Sequence, residues 1–253
     1  MSIYRSDADL AFLKSCDNED LDMLVSILTV DPKDKKPRYT EELTSSNEYK
    51  QYYPDHQKYW ECIAAELQTF GANSIVTKAL RKGQGIPYRE ILMDVCKKKK
   101  VNFNKNSPIE VIEMNLLMRL LEQTLNEMTK EQLNEFVHDM GMELMNPTPE
   151  LILMAAQSAI KLSGFAAYTF ATRTLAMLLR QIGLKASFVV YTSMTTAMGI
   201  ISGPIGWGAT AAWLATDLAS PAYRVTVPAC VIIAYMRQKS LNASAIPREV
   251  EQN

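Results

Sequence analysis

Histidine is nearly missing from this chain, whose 253 residues include only His56 and His138. Neither has a second histidine at helical spacing or a cysteine pair close by, which excludes the ligand patterns of zinc sites. Surface or helix-capping roles are expected for both. Cysteine is scarce too: Cys16, Cys62, Cys96 and Cys230 are scattered without paired spacing. They read as free thiols, mostly inside helices and buried, in a reducing cytoplasm. The amino terminus, MSIYRSDADL, has neither the basic nor the apolar part of a signal peptide. Gly83 and Gly85 precede no Lys-Ser or Lys-Thr pair and follow no strand, so they do not form a phosphate-cradling loop. A Ser-His-Asp or Cys-His nucleophile cannot be located by spacing. No metal, cofactor or catalytic constellation is expected, and the chain reads as non-enzymatic.

A strong charge bias of the whole chain is also lacking, for the formal net charge is -1. It is split, however. Residues 1–150 carry 25 acidic and 19 basic side chains, whereas residues 151–253 carry 3 and 8. No strongly basic face emerges from a sequence pI near 6.2, so nucleic acid is not an expected partner.

Strand signals are almost absent, while helix punctuation recurs, and the sequence predicts an all-α protein. Ser6 can cap a short amphipathic stretch, and Leu21, Leu24, Val25 and Leu28 follow at helical spacing after Asn18. Together these segments form an expected hairpin over 1–30. DPKDKKPRY, residues 31–39, reads as a linker. Trp60, Ile63, Ala64, Leu67 and Phe70 then give an apolar stripe that continues through Ile75, Ala79 and Leu80. Ile91, Leu92 and Val95 give another, ending in Lys97 to Lys100 where the helix dipole favours cations. Ser107-Pro108-Ile109-Glu110 looks like a capping box, Thr129 with Gln132 repeats it, and Thr148-Pro149 starts a third helix. The carboxylates Glu61, Glu66, Glu90 and Asp94 are accounted for by exposure or by pairing with Arg81, Arg89 or the lysines. Tyr88, Arg89 and Asp94 form a polar set expected to serve helix packing. A charged helical domain over 40–146, an apolar one over 147–240 and a polar tail over 241–253 complete the expected bundle.

From Ala186 to Thr216 there is no charged residue. Gly199, Gly203, Gly206 and Gly208 are interleaved there with serines and threonines, and Thr195, Gly199 and Gly203 make a series of small residues four apart. Such series let helices pack closely, in a protein core or in lipid. Gly203 and Pro204 divide the run into pieces shorter than the ~20 residues a span requires. A buried hairpin is therefore expected, with conditional insertion into a membrane as the alternative. Asp217 is the one carboxylate near the run and Arg224 its expected structural partner, since a buried charge must be paired.

Three stretches resemble the bacterial YaaW-like family: DADLAFLKSCDNEDLDMLVSILT, WECIAAELQTFGANSIVTKALRKGQGIPYREILMDVCKK, and GPIGWG with SPAYRVTVPACVIIAYMR. The broader grouping of that family is labelled ubiquinol-cytochrome c chaperone-like. The resemblance implies a protein-binding role and carries no catalytic residue. The expectation is thus a cytoplasmic interaction or assembly protein that binds an unidentified polypeptide. Membrane lipid is the alternative partner, with the protein peripheral to the inner membrane.

Overall fold

A computed structural model of the protein describes residues 2–31, 36–39, 41–71, 85–139, 142–162, 164, 166–170, 172 and 222–243. Regular structure among these residues is helical, with one isolated antiparallel bridge between Val30 and Pro37. The expected all-α class is the observed one. The helices that position the site are α1 (Asn18–Thr29), α2 (Asn47–Tyr52), α3 (Trp60–Gly71), α4 (Tyr88–Lys98), α5 (Ile109–Asn126), α6 (Lys130–Asp139), α7 (Pro149–Leu162) and α8 (Tyr223–Leu241). Short 3-10 helices at Ala11–Ser15 and His56–Tyr59 precede α1 and α3.

Most residues of the predicted apolar stripes are buried where the structure describes them, Trp60 being half-buried; the expected continuation at Ile75, Ala79 and Leu80 lies outside the described residues. Leu21, Leu24, Val25 and Leu28 of α1 are in the core, as are Ile63, Ala64 and Leu67 of α3 and Ile91, Leu92 and Val95 of α4. Asp17 caps α1 by accepting a hydrogen bond from the Asp20 amide at 2.9 Å. The Thr129 and Gln132 box closes reciprocally, at 2.8 and 3.3 Å. Two expected caps differ. Leu10, not Ser6, precedes the first helical turn and makes no side-chain cap, because Asp7 already organises the entry by accepting from the Asp9 amide. Ser107 does not cap α5 either: Pro108 occupies the cap position without a side-chain bond, and the Ser107 carbonyl accepts from Arg89.

In the middle of the structure lies α8. Every residue from Val225 to Met236 is buried, so this helix is apolar all round and packs against α1, α3, α4 and α5. Each buried valine, isoleucine or methionine of this kind contributes roughly 1.5–3 kcal/mol. The expected apolar segment therefore supplies the core helix around which the amino-terminal and charged segments assemble. Residues 36–39 return along the end of α1, with the Arg38 amide on the Thr29 carbonyl at 2.8 Å and its guanidinium on Asp31 at 3.3 Å. One glycine is dictated by close approach. A Cβ on Gly85 would lie 2.2 Å from the Gln68 backbone carbon, where the Ile86 amide bonds the Gln68 carbonyl.

Candidate functional site

Two ionic centres hold the carboxyl-terminal turn of α8. At the first, Arg237 donates from Nε to Glu113 of α5 at 2.8 and 3.1 Å and from its terminal nitrogen to the Asp9 carbonyl at 2.6 Å. Its guanidinium carbon lies 4.3 Å from the centre of the Phe12 ring. Tyr88 donates its hydroxyl proton to the same Glu113 carboxylate at 2.9 Å, and its amide donates to Asp7 at 2.6 Å. Burial pushes Glu113 up to about 7, against the lowering influence of Arg237 and the Tyr88 bond. At the second centre, Lys239 bridges Asp17 at 2.6 Å and Asp20 at 2.9 Å. Burial pushes Asp20 up to about 6, while Lys239 is held above its ordinary value by the two carboxylates although burial opposes this. All these groups are spent on one another. They hold the helices in register.

The polar set read from the sequence also resolves into packing. Arg89 pairs with Asp9 at 3.3 Å, Tyr88 points into the core, and Asp94 accepts from the Tyr223 hydroxyl at 2.9 Å. His56 corrects its expected surface role. It is buried at 2% exposure, between Asp22 at 3.2 Å and the Tyr59 hydroxyl at 2.5 Å, because the 3-10 turn folds it under α1. His138 is exposed, as expected. Glu66 is a second correction, being buried, with no cation in contact among the described residues: it accepts from the Glu42 amide and the Ser2 hydroxyl. All four cysteines are free, and Cys16, Cys96 and Cys230 are buried, with burial pushing their thiols up.

Arg224 lies beside Asp31 at 3.6 Å. Its expected partner Asp217, and the glycines Gly199, Gly203, Gly206 and Gly208, lie outside the described residues. So does the whole uncharged run. Among the described residues no helix is long and apolar enough to cross a membrane.

Among the described residues a cleft of about 780 Å³ opens between α5, α7 and Gln238 of α8. Val111, Met114, Met118 and Glu122 of α5 line one wall, at helical spacing along one face. Leu153, Gln157 and Ile160 of α7 line the other, and Gln238 of α8 closes the end. Lys100, Arg119 and Lys161 stand with Glu110 and Glu122 at the polar margin. Beside it α7 turns Leu151 and Met154 outward, at 43% and 63% exposure. The sequence showed α5 and α7 as helices but could not show their pairing, which joins residues some forty positions apart.

The amino-terminal part of the chain, residues 4–39, matches a family described as a domain of unknown function, DUF3944. A UPF0174 protein of Helicobacter pylori strain J99 is 40% identical over 243 residues, covering 95% of each chain. The UPF0174 protein YaaW of Escherichia coli K12 is 31% identical over 238 residues, covering 93% of this chain and 95% of its own. The chain belongs to the UPF0174 family. A further member, from Helicobacter pylori strain 26695, is 38% identical over 205 residues and covers 79% of this chain. The YaaW resemblance read from the motifs is thereby the observed relationship, and these relatives carry the family designation alone. No solved structure matches the chain.

Proposed function

We propose that this UPF0174 member is a non-enzymatic interaction or assembly protein that grips a helix of a partner polypeptide in the groove between α5 and α7. The observation that carries this reading is the pairing of Met114 and Met118 with Leu153 and Ile160 across an open cleft. Methionine side chains are long, unbranched and polarizable, so they adapt to apolar partners of varied shape. Two facing helical walls that carry apolar side chains between charged margins suit an amphipathic helix, whose anchors recur every three to four residues. Free thiols in all four cysteines fit a reducing compartment, the cytoplasm.

The test is affinity capture with two baits, wild type and Met118→Glu. Met118 is only partly buried, so the variant should keep its melting temperature within a few degrees. A partner recovered on the wild-type bait and lost from the variant supports the reading. Equal recovery on both baits contradicts it.

A further inference from the structure

Two sides of α7 differ in what they meet. Ile152 and Ala156 are buried at 0% and 3%, and Leu153 and Ile160 pack on the core beside them. Successive helical residues turn by about 100°, so Leu151, Met154, Ala155 and Ser158 share an arc of about that width, turned away from the buried side. Leu151 and Met154 are exposed at 43% and 63%, Ser158 and Ala159 are exposed, and Ala155 is half-buried. No charged residue falls on this arc. The charges of the helix stand at its flank, Glu150 in the first turn and Lys161 in the last. Both are exposed, and neither makes an ion pair among the described residues.

We propose that the outward face of α7 is a self-association surface, which pairs antiparallel with α7 of a second copy of this chain about a two-fold axis beside Ala155. The order of side chains along the helix selects that orientation. The large exposed ones, Leu151 and Met154, come first, and the small ones, Ala155, Ser158 and Ala159, follow. In a two-fold contact residue i meets j wherever j meets i. With the axis beside Ala155, Leu151 falls against Ser158 and Ala159 of the second copy, Met154 falls against Ser158, and Ala155 meets Ala155. Large thus packs on small at both ends, and the small residue at the centre lets the two helices approach closely.

Charge selects the same register. Glu150 and Lys161 are separated by about three helical turns, so they stand on one flank of α7. A two-fold axis across the helices keeps that flank on its side and reverses its ends. Glu150 of each copy then stands beside Lys161 of the other, at both ends of the contact. A parallel pair would instead oppose Glu150 to Glu150 and Lys161 to Lys161, and would stack large on large. A lipid surface fits less well, because interfacial helices carry several cations on their polar face, whereas Lys161 is the one cation of α7. The helix spans about 21 Å, which places the contact at the small end of specific interfaces, with a dissociation constant of micromolar order. The groove proposed to hold a partner is walled by Leu153, Gln157 and Ile160 and shares only Lys161 with this face.

Sedimentation velocity of the full chain at low salt, from about 1 to about 100 µM, tests this. Wild type should pass from monomer to dimer across that range. M154E should raise the dissociation constant about tenfold or more. S158R, at another exposed position of the face, should do the same and decides the matter if M154E does not fold. E150K and K161E should each weaken the dimer, and the double variant E150K/K161E should restore it, since the exchanged charges again meet their opposites. M118E, in the groove, should leave the dimer intact, so that failure of the groove reading and failure of this one are told apart. A chain that stays monomeric throughout, a dimer untouched by M154E and S158R, one lost in a folded M118E, or a double reversal weaker than either single one overturns the proposal.

Discussion

Arg237 enters the core among groups that each attract a cation, the Glu113 carboxylate, the Asp9 carbonyl and the face of Phe12. Arg237→Met should leave Glu113 buried without its cation and cost on the order of 3–5 kcal/mol in urea unfolding. Adding Glu113→Leu should recover part of that loss, since two apolar side chains then replace a desolvated pair. A double variant as unstable as the summed single changes would contradict the pairing. Asp7 makes a smaller claim. It caps α4 from outside that helix, through the Tyr88 amide, and Asp7→Ala should cost about 1–2 kcal/mol. Three buried carboxyls also set a pH trend: Asp20 is raised to about 6, and Glu66 and Glu113 to about 7. Their folded values exceed the unfolded ones, so folding takes up protons. The stability they contribute is complete below about pH 4 and is lost as pH rises through 6 to 7. The urea midpoint should therefore climb between pH 8 and pH 5, and a midpoint that falls on acidification would refute the assignment.

The helices themselves were legible where periodicity and caps are local. α1, α3 and α4 bury the predicted faces, and the Thr129 box is a four-residue pattern that needs no tertiary information. What escaped the sequence depends on partners far along the chain. Ser107 lost its expected role when Arg89 engaged its carbonyl, and Glu66 stands in a helix turn whose neighbours are buried on every side. Its single charge amid Ile63, Ala64, Leu67 and Phe70 was the available clue. Gly85 reads as a turn residue, yet its position against Gln68 is what forbids a side chain. Gly85→Ala should push α4 away from the end of α3, break the Ile86 to Gln68 bond and cost roughly 1–3 kcal/mol by thermal melting. An unchanged melting temperature would show that the two helix ends can part freely.

At the scale of the whole molecule, one late helix organises what precedes it. α8 sits inside a bundle made largely of the first 126 residues, which explains why the sequence, read from left to right, suggested segments of separate character. The uncharged run that the charge contrast marked lies outside the described residues, and the buried helix that follows it carries Arg224, Arg237 and Lys239 at its ends. The groove lay still further from view, because a cleft belongs to two helices at once. It is also where the functional account stands or falls. A photoreactive amino acid at Met118, in the wall of the groove, and another at Tyr39, fully exposed outside it, compare the two surfaces in living cells. The account predicts a discrete polypeptide adduct from position 118 that is absent from position 39. Adducts of equal identity and yield from both positions, or none from 118, would contradict a partner-binding groove.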